Sequence, residues 1–139
     1  MATPAETRWT IEPHTQVKHL ILRRYLDAWL PIMAKYNGRI LFIDGFAGPG
    51  RYTGGEPGSP IIALEALLDH PHFKVPRIER EVIFTFIEMD PDSAAGLREE
   101  IRTFKDKHPI PGWVKVGVLE GEVFAHLLGL RHDRQDLAQ

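Results

Sequence analysis

Asp44 is followed by Gly45, Phe46, Ala47, Gly48, Pro49 and Gly50, three glycines within six residues. Glycine has no β-carbon and accepts positive φ, so a turn rich in it can lie close against a neighbour. The order Asp44-x-x-x-Gly48-x-Gly50 describes such a turn with a carboxylate at its mouth. A second acid, Glu88, closes "FIEMD", and a third, Glu122, stands just past "VLEG". Acids at the tips of adjacent parallel strands commonly accept hydrogen bonds from ribose hydroxyls. Phosphate chemistry fits poorly. No Gly-Lys-Ser/Thr follows the glycines, and the last position of a dinucleotide fingerprint is Thr53. A carboxylate beside the turn repels a pyrophosphate and suits a ligand with a cationic end. S-adenosylmethionine, with its sulfonium, amino group and ribose, satisfies both Asp44 and Glu88. The plain alternative is a tight strand-to-helix connection with no ligand, in which Glu88 and Glu122 cap or flank helices.

Those residues need elements to hold them. From Thr15 to Tyr36, Val17, Leu20, Ile21, Tyr25, Ala28, Trp29, Ile32 and Met33 recur at three- and four-residue spacing, which predicts an amphipathic helix with these on its buried side. Pro31 is expected to kink or divide it. Asn37–Gly38 is expected to end it in left-handed backbone. "RILFID" is a nearly continuous apolar run, as in a parallel strand covered on both faces. "GSPIIALEALL" predicts a helix with Ser59 as N-cap and Pro60 first in the helix. "EVIFTFIEMD" is a second strand. Asp90 or Asp92 caps the helix "PDSAAGLREEIRTFKDKH", whose inner stripe is Leu97, Ile101 and Phe104. "WVKVGVLE" is a third strand and "GEVFAHLLGL" opens a further helix. A helix followed by three strand–helix units predicts an α/β, Rossmann-like fold with a parallel sheet.

The segment "FIDGFAGPGRYTGGEPGSPIIALEAL", with "HTQVKHLILRRYLDAWLPI" before it, resembles the three-Cys-motif partner proteins (TcmP) over residues 9 to about 125. That resemblance implies a class I S-adenosylmethionine-dependent methyltransferase-like fold. It implies that Asp44, Gly48 and Gly50 surround the methionine part of the donor, with Gly45, Phe46 and Ala47 filling the same loop. By the same resemblance Glu88 is the ribose-binding acid, and Glu122 lies near the adenine amino group. It implies a three-Cys-motif protein as partner. The family's plan then calls for a fourth strand and an Asp-Pro-Phe-Gly-like segment, and the only Asp-Pro here is Asp90–Pro91. The expectation is an incomplete methyltransferase-like domain over residues 14–139, preceded by an irregular arm over 1–13. No general base is assigned. The competing expectation is a non-catalytic binding or assembly module that keeps the pocket shape.

Composition sets the outer bounds. Seventeen basic and nineteen acidic side chains give a net charge of −2, so no global basicity points to nucleic acid. Lys18, His19, Arg23 and Arg24 make a local basic side, either a solvated helix face or a patch facing nucleic acid. The absence of cysteine excludes disulfides, thiolate nucleophiles and cysteine-ligated metals. His70-x-His72 has no matched acid, so no metal site is expected. There is no apolar run of about 18 residues and no signal-peptide core, which leads to an expectation of a cytoplasmic protein without a membrane span. With no later strands, "RILFID" would be an exposed sheet edge, inviting homo-oligomers unless the first helix covers it. "RYTGGEPGSP" reads equally as a surface loop or as a lid.

Overall fold

The computed structural model describes residues 9–74, 80–122 and 125. Helix α1 (Pro13–Tyr36) leads into strand β1 (Arg39–Asp44). Helix α2 (Ser59–Asp69) and a 3-10 turn (Pro71–Lys74) precede β2 (Glu81–Glu88), α3 (Pro91–Lys107) and β3 (Val114–Glu120). The strands are parallel and lie in the order β1-β2-β3. Among the described residues the architecture is α/β, with three helices and a three-stranded parallel sheet, compatible with part of a Rossmann-like fold. The expected helix "GEVFAHLLGL" and the tail after it lie outside the described residues, apart from Gly121, Glu122 and Ala125. Among the described residues no helix is long and apolar enough to cross a membrane.

Register explains the core. Ile40 pairs with Val82, which pairs with Val114; Phe42, Phe84 and Val116 follow two residues on, then Asp44, Phe86 and Val118. Period-two alternation puts all nine on one face. Their apolar members join Leu26, Leu30 and Ala34 of α1, Ile61, Leu64 and Leu67 of α2, and Leu97, Ile101 and Phe104 of α3 in one cluster. Phe84 and Phe86 are fully buried, and burial of each stabilises the fold by roughly 2–3 kcal/mol. The opposite face of β1 is open. Leu41 is 53% exposed and Ile43 41%, so β1 is not the strand covered on both sides that its apolar run suggests.

α1 departs from expectation in four ways. It starts at Pro13, whose fixed φ suits a first helical position. It runs unbroken through Pro31, because Leu26 and Leu30 before the proline and Ala34 after it are all buried in the same core. Most importantly, the predicted buried stripe is split: Val17, Leu20, Ile21, Tyr25 and Ile32 are exposed, Trp29 and Met33 pack against the core, and the fully inward positions are Leu26, Leu30 and Ala34. The helix carries two apolar faces, and the longer repeat is on the outside. Its end is extended backbone (Asn37 φ −134°), with both the Asn37 amide and its side-chain Nδ2 donating to the Met33 carbonyl. Asn37 thus closes the helix by hydrogen bonding, not by left-handed backbone.

Candidate functional site

β1 and β2 end side by side, and each ends in an acid. Asp44 pairs with Phe86, two residues before Glu88, and Glu88 pairs with Glu120. The same alternation that orders the core therefore sets Asp44, Glu88 and Glu120 on one rim of the sheet. Glu120 is the strand-tip acid in register, whereas Glu122 lies past β3 and is exposed. The sequence carries the signal for Glu120 in the two-residue spacing of Val116, Val118 and Glu120.

The chain after Asp44 folds back across the tip of β2. Asp44 Oδ1 accepts a hydrogen bond from the Phe46 amide at 3.1 Å, and Oδ2 accepts one from the Ser59 hydroxyl. Ser59 is thus not the N-cap: Gly58 holds that position, and the Ser59 hydroxyl ties α2 to the tip of β1. The Ala47 amide donates to the Ile87 carbonyl at 3.0 Å, burying Ala47. The Gly48 amide donates to Glu88 Oε2 at 2.6 Å, while Glu88 Oε1 accepts from the Asp90 amide at 3.1 Å. Both carboxylates are oriented by backbone donors. An ionised carboxylate has about four acceptor positions, so each retains capacity for a ligand.

The glycines divide by role. Gly48 has φ +74° and sits beneath the Trp9 ring, whose Cζ2 is 3.8 Å from where a β-carbon would be. Gly50 has φ +87°, and a β-carbon there would lie 3.0 Å from Leu97 Cδ1 and 3.1 Å from Glu100 Cβ. What the backbone approaches at Gly50 is α3, not open space. Gly45 is half-buried, and Phe46 is 87% exposed.

Beyond Gly50 the chain forms a small hairpin. Arg51 bridges to Pro57, donates to Glu100 Oε2 at 2.9 Å, and donates again to the Gly55 carbonyl at 2.7 Å. The hairpin places Tyr52 beside Trp9 and His19. Burial lowers the His19 pKa below the usual imidazole value, against the opposing charge of Asp44. Burial raises the Tyr52 phenol, with Asp44 adding to the rise and a hydrogen bond with Trp9 opposing it. Sequence reasoning misses His19 as a site neighbour, because its place on α1 groups it with the helix cations.

That basic set does not stay together. Arg23 bonds Asp27 and reaches Asp69 of α2, His19 faces Tyr52, and Lys18 and Arg24 are exposed. His70 and His72 pack by their edges around Phe73, which stacks on Trp113, and the Arg80 guanidinium lies over both of those rings. Among the described residues no group of three or more His, Asp or Glu is arranged to hold a metal ion. No protein-family profile, curated protein or solved structure matches the chain.

Proposed function

We propose that the chain binds S-adenosylmethionine at the carboxyl ends of β1 and β2, as a class I methyltransferase-like protein of the three-Cys-motif partner type. The observation that carries this reading is the pair of acids on adjacent strand tips, with the backbone of the glycine turn drawn between them by the Gly48–Glu88 hydrogen bond. Asp44 and Glu88 make this rim negative. The cation of the turn, Arg51, is committed to Glu100 and Gly55. Such a rim repels phosphate and favours a ligand with a positive end.

Residue by residue, Asp44 faces the methionine end of the ligand and Glu88 accepts from the ribose hydroxyls. Gly48 supplies the turn that lets both approach. Gly50 serves the site indirectly, by letting α3 close against the turn. When bound, the donor offers a methyl group that leaves its sulfur for an in-line nucleophile. The residues described here hold and orient it, and orientation alone accounts for a large share of such rates.

Calorimetric titration with S-adenosylhomocysteine tests the reading. Asp44→Asn and Glu88→Gln remove charge and keep size. Each is expected to weaken binding on the order of tenfold, as the loss of one charge-assisted hydrogen bond does. Absence of binding to the unaltered chain overturns the reading.

A second reading, a binding or assembly module acting with a three-Cys-motif protein or a second copy, is favoured by the exposed outer stripe of α1 and by Leu41 and Ile43 on the edge strand. Sedimentation over a dilution series separates self-association from a monomer that needs another partner.

A further inference from the structure

Three aromatic side chains meet over the glycine turn, and none comes from a strand tip. Trp9 belongs to the arm before α1, His19 to α1 and Tyr52 to the hairpin after Gly50. The Trp9 and Tyr52 rings are 6.3 Å apart and nearly perpendicular, and His19 and Tyr52 are 5.8 Å apart at 51°. The Thr53 amide donates to the Trp9 carbonyl at 3.1 Å, fixing the arm to the hairpin. Trp9 stands over Gly48, and Asp44 is near enough to act on both His19 and Tyr52.

Pinning the arm does not account for this group. A ring that only anchors a segment gains most by full burial, yet Trp9 keeps 49% of its surface exposed and Tyr52 is half-buried. The negative rim attracts any cation and does not choose among them. Aromatic faces do choose: they favour diffuse, weakly hydrated cations such as quaternary ammonium groups, and by the same physics a sulfonium.

We propose that Trp9, His19 and Tyr52 form an aromatic wall that selects the sulfonium form of the nucleoside over its neutral thioether, making the arm part of the donor site. This rests on the S-adenosyl reading above. His19 suits the role because burial disfavours its charged form, so the imidazole adds no positive charge beside the ligand.

The test compares S-adenosylmethionine with S-adenosylhomocysteine on the full chain by calorimetry, since the two ligands differ in the charge at sulfur. Tyr52→Leu and Trp9→Leu are expected to weaken S-adenosylmethionine about fivefold and to leave the homocysteine form nearly unchanged. Tyr52→Phe, which keeps the ring, is expected to retain the preference. Equal weakening of both ligands in both leucine variants overturns the wall and leaves the S-adenosyl reading standing. Failure of the unaltered chain to bind either ligand overturns that reading first, and the wall with it. Should Tyr52→Leu not fold, Trp9→Leu carries the comparison alone, because much of that residue is already in solvent.

Discussion

The β1-to-α2 and β2-to-α3 connections leave the same edge of the same sheet, join the same kinds of element and begin with an acid. The second needs only Met89 and Asp90. Its Asp90 side chain accepts from the Ser93 amide and caps α3, and its backbone bonds the Glu88 side chain just before it. Every partner is within a few residues. The first connection runs from Gly45 to Gly58 and finds its partners far away in the chain: Glu88 for Gly48, Glu100 for Arg51, Trp9 for Thr53 and Ser59 for Asp44. It also holds three glycines, 48, 50 and 55, at positive φ. Joining a strand to a helix requires none of this, as the shorter turn demonstrates. The longer turn is a built surface, and that contrast is the physical reason to place function there.

The contrast can be broken or sharpened by experiment. Gly50→Ala should have the largest effect, because it combines left-handed strain with contact against Leu97 and Glu100. A loss of about 3 kcal/mol is expected in urea denaturation. Arg51→Ala removes the link between hairpin and α3 and should cost about 1–2 kcal/mol. Asp90→Ala in the short turn should cost about 1 kcal/mol, the ordinary value of a helix cap. If Asp90→Ala proves as damaging as Gly50→Ala, the long turn is not the more heavily constrained of the two.

The smallest effect concerns pH. The folded His19 pKa lies below its unfolded value, so as pH falls through about 6.5 the unfolded chain takes up the proton first. Stability should therefore decline on acidification from that point, down to the folded pKa. His19→Gln should lose this component of the slope, read from denaturant midpoints across the acid range.

Much of this arrangement is legible in the residues. α3 has one consistent inner stripe, so Leu97, Ile101 and Phe104 fall where its period places them, and β2 is buried at Thr85 and Ile87 as well as at Phe84 and Phe86, as its continuous apolar run implies. α1 reads partly inside out: of the predicted stripe Trp29 and Met33 reach the core, but periodicity reports that a stripe exists and not which way it faces. Val17, Ile21, Tyr25 and Ile32 form a longer repeat than Leu26, Leu30 and Ala34, and length points the wrong way. At the site, Asp44, Gly48 and Glu88 are brought together as the strand tips imply. Ser59 and Gly50 each make a contact that their local pattern does not show. A cap and a ligand-facing glycine are local patterns, whereas the Asp44–Ser59 bond and the approach of Leu97 to Gly50 are contacts between distant segments. Glu122 stands out over Glu120 in the sequence because the end of a strand is known only once its register is.

The outward stripe of α1 has a practical consequence at the bench. Dyes that brighten on greasy surfaces are the usual reporters of heat-induced melting, and they will find Val17, Ile21, Tyr25 and Ile32 on the intact protein. A bright signal at low temperature is therefore expected from properly folded material, and circular dichroism is the sounder probe of its melting.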